Sequence, residues 1–172
     1  GPVANPVAFS PVIGTNAQRG LNGLTDPSFD AQALAQVGRV SLGDIEISAD
    51  GRYLFVMNLY DRSIYRIDMV DPANPTAPTA ANVATRVKSL ASPAPGCTNG
   101  TYRPFGLKYY RENLYVGLVC SGENGGTTST LRAYVYKITD FDAGTSTQIL
   151  NIPLTYTKGE ATIWYGSDDT LW

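Results

Sequence analysis

The stretch LGDIEISADGRYLFVMNLYDRSIYRID, residues 42–68, sets apolar against polar positions in three short runs. In DIEIS, Ile45 and Ile47 fall on one face and Asp44, Glu46 and Ser48 on the other, the period of two of a half-buried strand. Asp50-Gly51 supplies the residue types that tolerate positive φ in a two-residue hairpin turn. RYLFVMNLY follows as a nearly continuous apolar run, predicting a strand covered on both faces. After a second turn at Asp61-Arg62, SIYRID alternates again, with Ile64 and Ile67 as anchors. The result is a three-stranded meander, which is marginal alone and needs neighbours.

The chain supplies a neighbour. Residues 103–119, RPFGLKYYRENLYVGLV, overlay residues 43–59 without a gap at an offset of 60, so that Ile45 meets Phe105, Ile47 meets Leu107, and Leu54 and Val56 meet Leu114 and Val116. LRAYVYKI at 131–138 repeats the third strand after the insertion SGENGGTTST, and NVATRVKSL (82–90) and STQILNIPLTY (146–156) offer a fourth strand to each copy. Two copies of one supersecondary unit mark a repeat architecture, and four antiparallel strands in about 40 to 60 residues is the size of a β-propeller blade. The expected fold is all-β, a partial β-propeller of about two blades plus terminal strands. A β-sandwich built from similar hairpins is the alternative.

The expected organisation is a single domain over 1–172, with residues 1–40 leading in, blades at 41–92 and 93–157, and the start of a next element at 158–172. Rings need four to eight blades, so the chain reads as a fragment of a larger propeller. Two such blades leave two apolar faces uncovered, which would need the rest of a parent chain or further copies, with Phe55, Tyr115, Tyr134 and Tyr136 near the contacts. DAQALAQVGRV (30–40) is the one helix-forming stretch, stopped by Gly38.

Composition fits the pattern: 17 Gly, 11 Pro and 11 Tyr suit short strands and tight turns. With 13 basic and 15 acidic residues the net charge is −2, too weak a field to recruit nucleic acid or an anionic membrane. No apolar run approaches the roughly 20 residues of a membrane-spanning helix, and GPVANPVAFS lacks the basic and apolar regions of a signal peptide, so membrane insertion is not expected.

LGDIEISADGRYLFVMNLYDRSIYRID, PGCTNGTYRPFGLKYYRENLYVGLVC and IPLTYTKG resemble the propeller-like region of very large secreted bacterial surface proteins, which join it to immunoglobulin-like and collagen-adhesin B-type repeats. The resemblance covers about residues 37–160 and is most specific from Pro95 to Cys120. It implies an extracellular, non-enzymatic role in adhesion, surface layers or motility, through protein-protein contacts.

Cys97 precedes the first strand of the second blade and Cys120 ends its second, so an antiparallel hairpin brings them within reach of a disulfide. Two free thiols, as a cytosolic chain carries, are the alternative.

Chemistry is otherwise scarce. The chain has no His, which removes the commonest general base and transition-metal ligand, and two Cys make no zinc site. No enzyme activity and no cofactor are expected. Asp140 and Asp142, two apart before Gly144, begin a calcium-loop pattern but lack its later acidic ligands, so an ordinary turn competes with a cation site. Asp168-Asp169 is equally ambiguous, Asp44 and Glu46 read as solvated, and Asn99-Gly100-Thr101 fits the short N-glycosylation pattern. Tyr102, Tyr109, Trp164 and Trp172 are candidate contacts to a ligand or partner, as is Arg103, whose donor fork is expected free at the blade edge while Phe105 points inward. Stacking of such rings on surface glycans makes a carbohydrate-binding propeller the alternative function.

Overall fold

A computed structural model of the chain describes residues 36–74, 88–89 and 97–155. They form two four-stranded antiparallel sheets, each hydrogen-bonded in chain order. The first holds β1 (Leu42–Ile47), β2 (Tyr53–Asn58), β3 (Ser63–Asp68) and the two-residue β4 (Lys88–Ser89). The second holds β5 (Tyr102–Tyr110), β6 (Asn113–Cys120), β7 (Arg132–Asp140) and β8 (Thr145–Pro153). The fold is all-β, with two equivalent meanders that do not close into a barrel. Most of the 30–40 helix and of the 82–90 strand falls outside the described residues. Gly38, at φ 73°, does end a turn at Gln36 as its sequence position predicts.

The gapless overlay needs correction. At the first turn only Gly51 has positive φ, and the Ser48 amide bonds the Tyr53 carbonyl at 2.8 Å across a loop of residues 49–52. The Asp50 carboxylate holds that loop by accepting from the Ser48 hydroxyl and the Arg52 amide. The second meander has the tighter turn instead: Tyr110 pairs with Asn113, and both intervening residues, Arg111 and Glu112, have positive φ. The pairs Ile45↔Val56 and Leu107↔Val116 are therefore equivalent, so Ile45 corresponds to Leu107 and not to Phe105, and Ile47 to Tyr109 and not to Leu107.

With that alignment the two first strands share a feature invisible to an apolar pattern. Each shifts register once, between Leu42 and Ile45 in β1 and between Pro104 and Leu107 in β5. Such a bulge inserts one residue and reverses the side-chain phase. Phe105 consequently faces out and is 55% exposed, where strict alternation points it inward. A bulge also takes a backbone amide out of the ladder. Asp44 repairs both copies at once: Oδ1 accepts from the Ile45 amide and Oδ2 from the Leu107 amide, each at 2.9 Å. One carboxylate thus staples the two sheets at equivalent points. Beside it, a Cβ on Gly43 would lie 2.9 Å from the Leu59 side chain and 3.1 Å from the Phe105 carbonyl, so the close approach of β5 requires glycine there.

Asp44 and Glu46 are accordingly not solvated. They lie at the β1–β5 junction, where Glu46 also accepts from the Lys108 ammonium at 3.1 Å. Ile45 and Ile47 sit on the opposite face, 52% and 49% exposed, because β1 is the edge strand of its sheet.

The main core lies between the sheets. Phe55, Met57 and Ile64 of the first pack against Leu107, Leu114, Val116, Leu118, Tyr134 and Tyr136 of the second, and Phe55 stacks on Tyr109 with centroids 5.7 Å apart. Phe55, Tyr134 and Tyr136 are thus interior, not at an uncovered face as the sequence suggests. Val56, Tyr65 and Ile67 face the other way and form a second cluster with half-buried Leu54. β2 is therefore covered on both faces, as its apolar run predicts.

These two clusters fix how the meanders stack. Val56 and Val116 are equivalent, yet Val116 points into the shared core and Val56 points away from it. The second sheet lays one face on the opposite face of the first, so the stacking is front to back. The face of the first sheet turned away from this core buries Val56 and Ile67 and exposes Ile45 and Ile47 at its edge, while the outer face of the second exposes Phe105, Val119, Leu150 and Ile152.

Candidate functional site

The outer face of the second sheet carries a groove of about 410 Å³ at the end where β5 begins and β6 finishes. The turn at Gly38 carries Val37 and Arg39 to one side of it, while Arg103, Pro104, Phe105, Val119, Ser121 and Glu123 form the rest. Two constraints hold the loops around it. The Cys97–Cys120 disulfide, with Cα atoms 5.6 Å apart, ties the 97–101 segment to the end of β6. Backbone bonds from Ser121 to Thr101 (3.0 Å) and from Asn124 to Asn99 (3.2 Å) continue the pairing. Gly100 lies so close that a Cβ would stand 1.5 Å from the Ser121 carbonyl oxygen. No side chain fits there.

Glu123 is the centre of the polar lining. Arg103 Nη2 donates to both its oxygens, at 2.8 and 3.0 Å, and Arg39 pairs with it from the other side. Burial alone would raise the Glu123 pKa, but hydrogen bonds from Thr101 and Arg103 and the charges of Arg103 and Arg39 outweigh it and hold the carboxyl below its ordinary value. Its contribution to stability is therefore present above the ordinary Glu range and lost as pH falls through the lowered value. Arg103 is not the free fork expected at a blade edge, because Glu123, absent from the repeat pattern, lies in the loop after β6. The guanidinium pair still exceeds the single carboxylate by one positive charge. Beside it Val37 (75% exposed), Phe105 and Val119 offer apolar walls. Chemically the groove presents cationic donors next to hydrophobic surface, an arrangement for binding.

Of the other expected contacts, Tyr102 is buried, its ring edge-on to Tyr134 at 5.7 Å. Tyr109 is half-buried against Phe55. Trp164, Trp172 and Asp168-Asp169 lie outside the described residues. Asp140 and Asp142 do not converge: Asp140 caps the turn by accepting from the Ala143 amide at 2.8 Å, and Asp142 pairs with Arg66 at 2.9 Å. Among the described residues no three His, Cys, Asp or Glu side chains stand together as metal donors. Asn99 is exposed on its loop with φ 53°.

Burial pushes the Tyr102 phenol up to about 12, helped by the neighbouring Tyr134 and Tyr136, and burial likewise pushes Tyr65 to about 12, where it donates to Asp61. A tyrosine ionises near 10 when unfolded. The stability that these two phenols contribute is full below that value and is lost as pH rises from about 10 to about 12. Tyr102→Phe is expected to fold at neutral pH and to lose stability less steeply across that window than the parent, as read from urea midpoints at each pH. Parallel curves would contradict the burial of this phenol.

No family model and no solved structure matches the chain. It is similar to two proteins of Dictyostelium discoideum, Colossin-B (31% identical over 125 residues, 73% of this chain) and Colossin-C (28% over 160 residues, 92% of this chain). The aligned part makes up 3% of Colossin-B and 15% of Colossin-C, so the chain spans a small share of the length of these relatives. Neither is a bacterial surface protein.

Proposed function

We propose that this chain is a non-enzymatic structural module, two blades of a larger propeller-like stack in an extracellular surface or adhesive assembly, acting through protein-protein contacts. One observation carries the reading: the meanders stack front to back, so each sheet turns a second apolar face away from the shared core, exposed at Ile45 and Ile47 on the first and at Phe105, Val119, Leu150 and Ile152 on the second. Head-to-tail stacking of this kind does not terminate itself, since each added unit re-exposes the face it covers, and it ends only when a ring closes. A sandwich, which buries two inner faces against each other, has no such remainder. The disulfide favours an oxidising compartment, and the small share of the relatives' length that the chain spans is in keeping with a piece of a longer stack.

The test uses two charged variants, Ile45→Glu on the first sheet's free face and Leu150→Glu on the second's. The parent chain is expected to associate at tens of micromolar in sedimentation velocity, and each variant alone to remain monomeric. An equimolar mixture should form a one-to-one dimer, because each variant keeps the face the other lacks. A parent that is monomeric, or a mixture that is, overturns the proposal.

A further inference from the structure

The groove at the head of β5 has features that apolar stacking does not require. Glu123 is 13% exposed and both its oxygens are occupied, so it orients the two guanidinium groups and offers no further acceptor of its own. Arg39 is 40% exposed. Each arginine reaches Glu123 through Nη2 alone, although a guanidinium carries five N–H donors. The Arg103 Nε is buried and has no hydrogen-bond partner among the described residues, a cost normally met by an acceptor. The segment leading into Arg103 is fixed by the disulfide and by the Gly100 contact, so its donors are held in place before anything binds. Val37, Phe105 and Val119 flank them with apolar surface.

From this geometry we infer that the groove is a recognition site for an acidic segment of a partner protein, one in which a carboxylate side chain stands next to a large apolar residue. The carboxylate pairs with the open donors of Arg39 and Arg103, and the apolar side chain lies against Phe105 and Val119. Charge complementarity selects this occupant: the lining carries two fixed positive charges against one, and a planar guanidinium fork matches a carboxylate. A purely apolar occupant would strip water from the exposed Arg39 guanidinium without replacing it.

The experiment titrates the full chain with a labelled peptide, Gly-Glu-Phe-Glu-Leu-Gly, and with its uncharged isostere Gly-Gln-Phe-Gln-Leu-Gly, by fluorescence anisotropy at low ionic strength. The acidic peptide is expected to bind about tenfold more tightly than the isostere. Arg39→Gln, at an exposed position that the fold does not need, should remove most of that preference, and added salt should weaken the acidic peptide alone. Equal binding of the two peptides, no binding of either, or an unchanged preference in Arg39→Gln overturns the inference. Leu150→Glu lies on the same face outside the groove, and its effect on self-association tests the stacking separately.

Discussion

Leu114→Ala is expected to destabilise the protein by about 2–5 kcal/mol, the cost of removing a buried leucine and leaving a cavity, whereas Leu54→Ala should cost much less. The two positions are equivalent in the repeat, which makes the comparison informative. Leu114 is 2% exposed in the core between the sheets, among Val116, Leu118, Tyr134 and Tyr136. Leu54 belongs to the other face of the first sheet, where it is half-buried against Val56, Tyr65 and Ile67. Stability curves in urea measure both. Equal losses would mean that equivalent faces are equally buried, which back-to-back or ring-closed packing would produce and front-to-back stacking of two sheets does not. The same logic predicts that Leu54→Ala becomes costly in a longer chain in which a preceding unit covers that face.

The meanders were legible because their cause is local. Alternation in DIEIS and SIYRID, the apolar run of β2 and the turn residues between them each specify one strand or turn without reference to the rest of the chain. The phase of burial was not legible. Ile45 and Ile47 look like the inward face of β1, but which face is inward depends on where β5 arrives, and β5 arrives on the side of Asp44 and Glu46. The bulges hid for a related reason: one inserted residue at Phe105–Gly106 reverses the phase while leaving composition unchanged. Of the groove, the sequence marks Arg103 and Phe105 as notable and misplaces both. Its other partners, Arg39 and Glu123, come from two loops that no periodicity describes; the disulfide, visible as a cysteine at each end of one hairpin, hinted only that the segment entering β5 meets the end of β6.

Asp44 shows how a repeat can be joined by a residue that only one copy has. Its equivalent in the second meander is Gly106, which has no carboxylate with which to reach a following bulge. Whatever packs on the second sheet's free face must therefore be held by something else, and the Arg39–Glu123–Arg103 cluster stands at that end of the face.

Replacing both cysteines, Cys97→Ser with Cys120→Ser, is expected to cost on the order of 3 kcal/mol, the chain entropy released when a loop closed across a sequence separation of 23 is opened. The parent, unfolded without reductant, should show no thiol reactive to a labelling reagent at either position, and two after reduction. The loss should concentrate at one end of the second sheet, because the bridge ties the segment leading into β5 to the end of β6. Hydrogen exchange can resolve this: amides of Thr101 and Ser121, which bond across the tied segment, should exchange faster in the double variant, and those of β2 and β3 should change only by the global amount. Uniform acceleration across both sheets, with no excess at Thr101 and Ser121, would mean that the bridge acts on the unfolded chain alone. An excess there would show that it also holds the Gly100–Ser121 contact on which the shape of the groove depends.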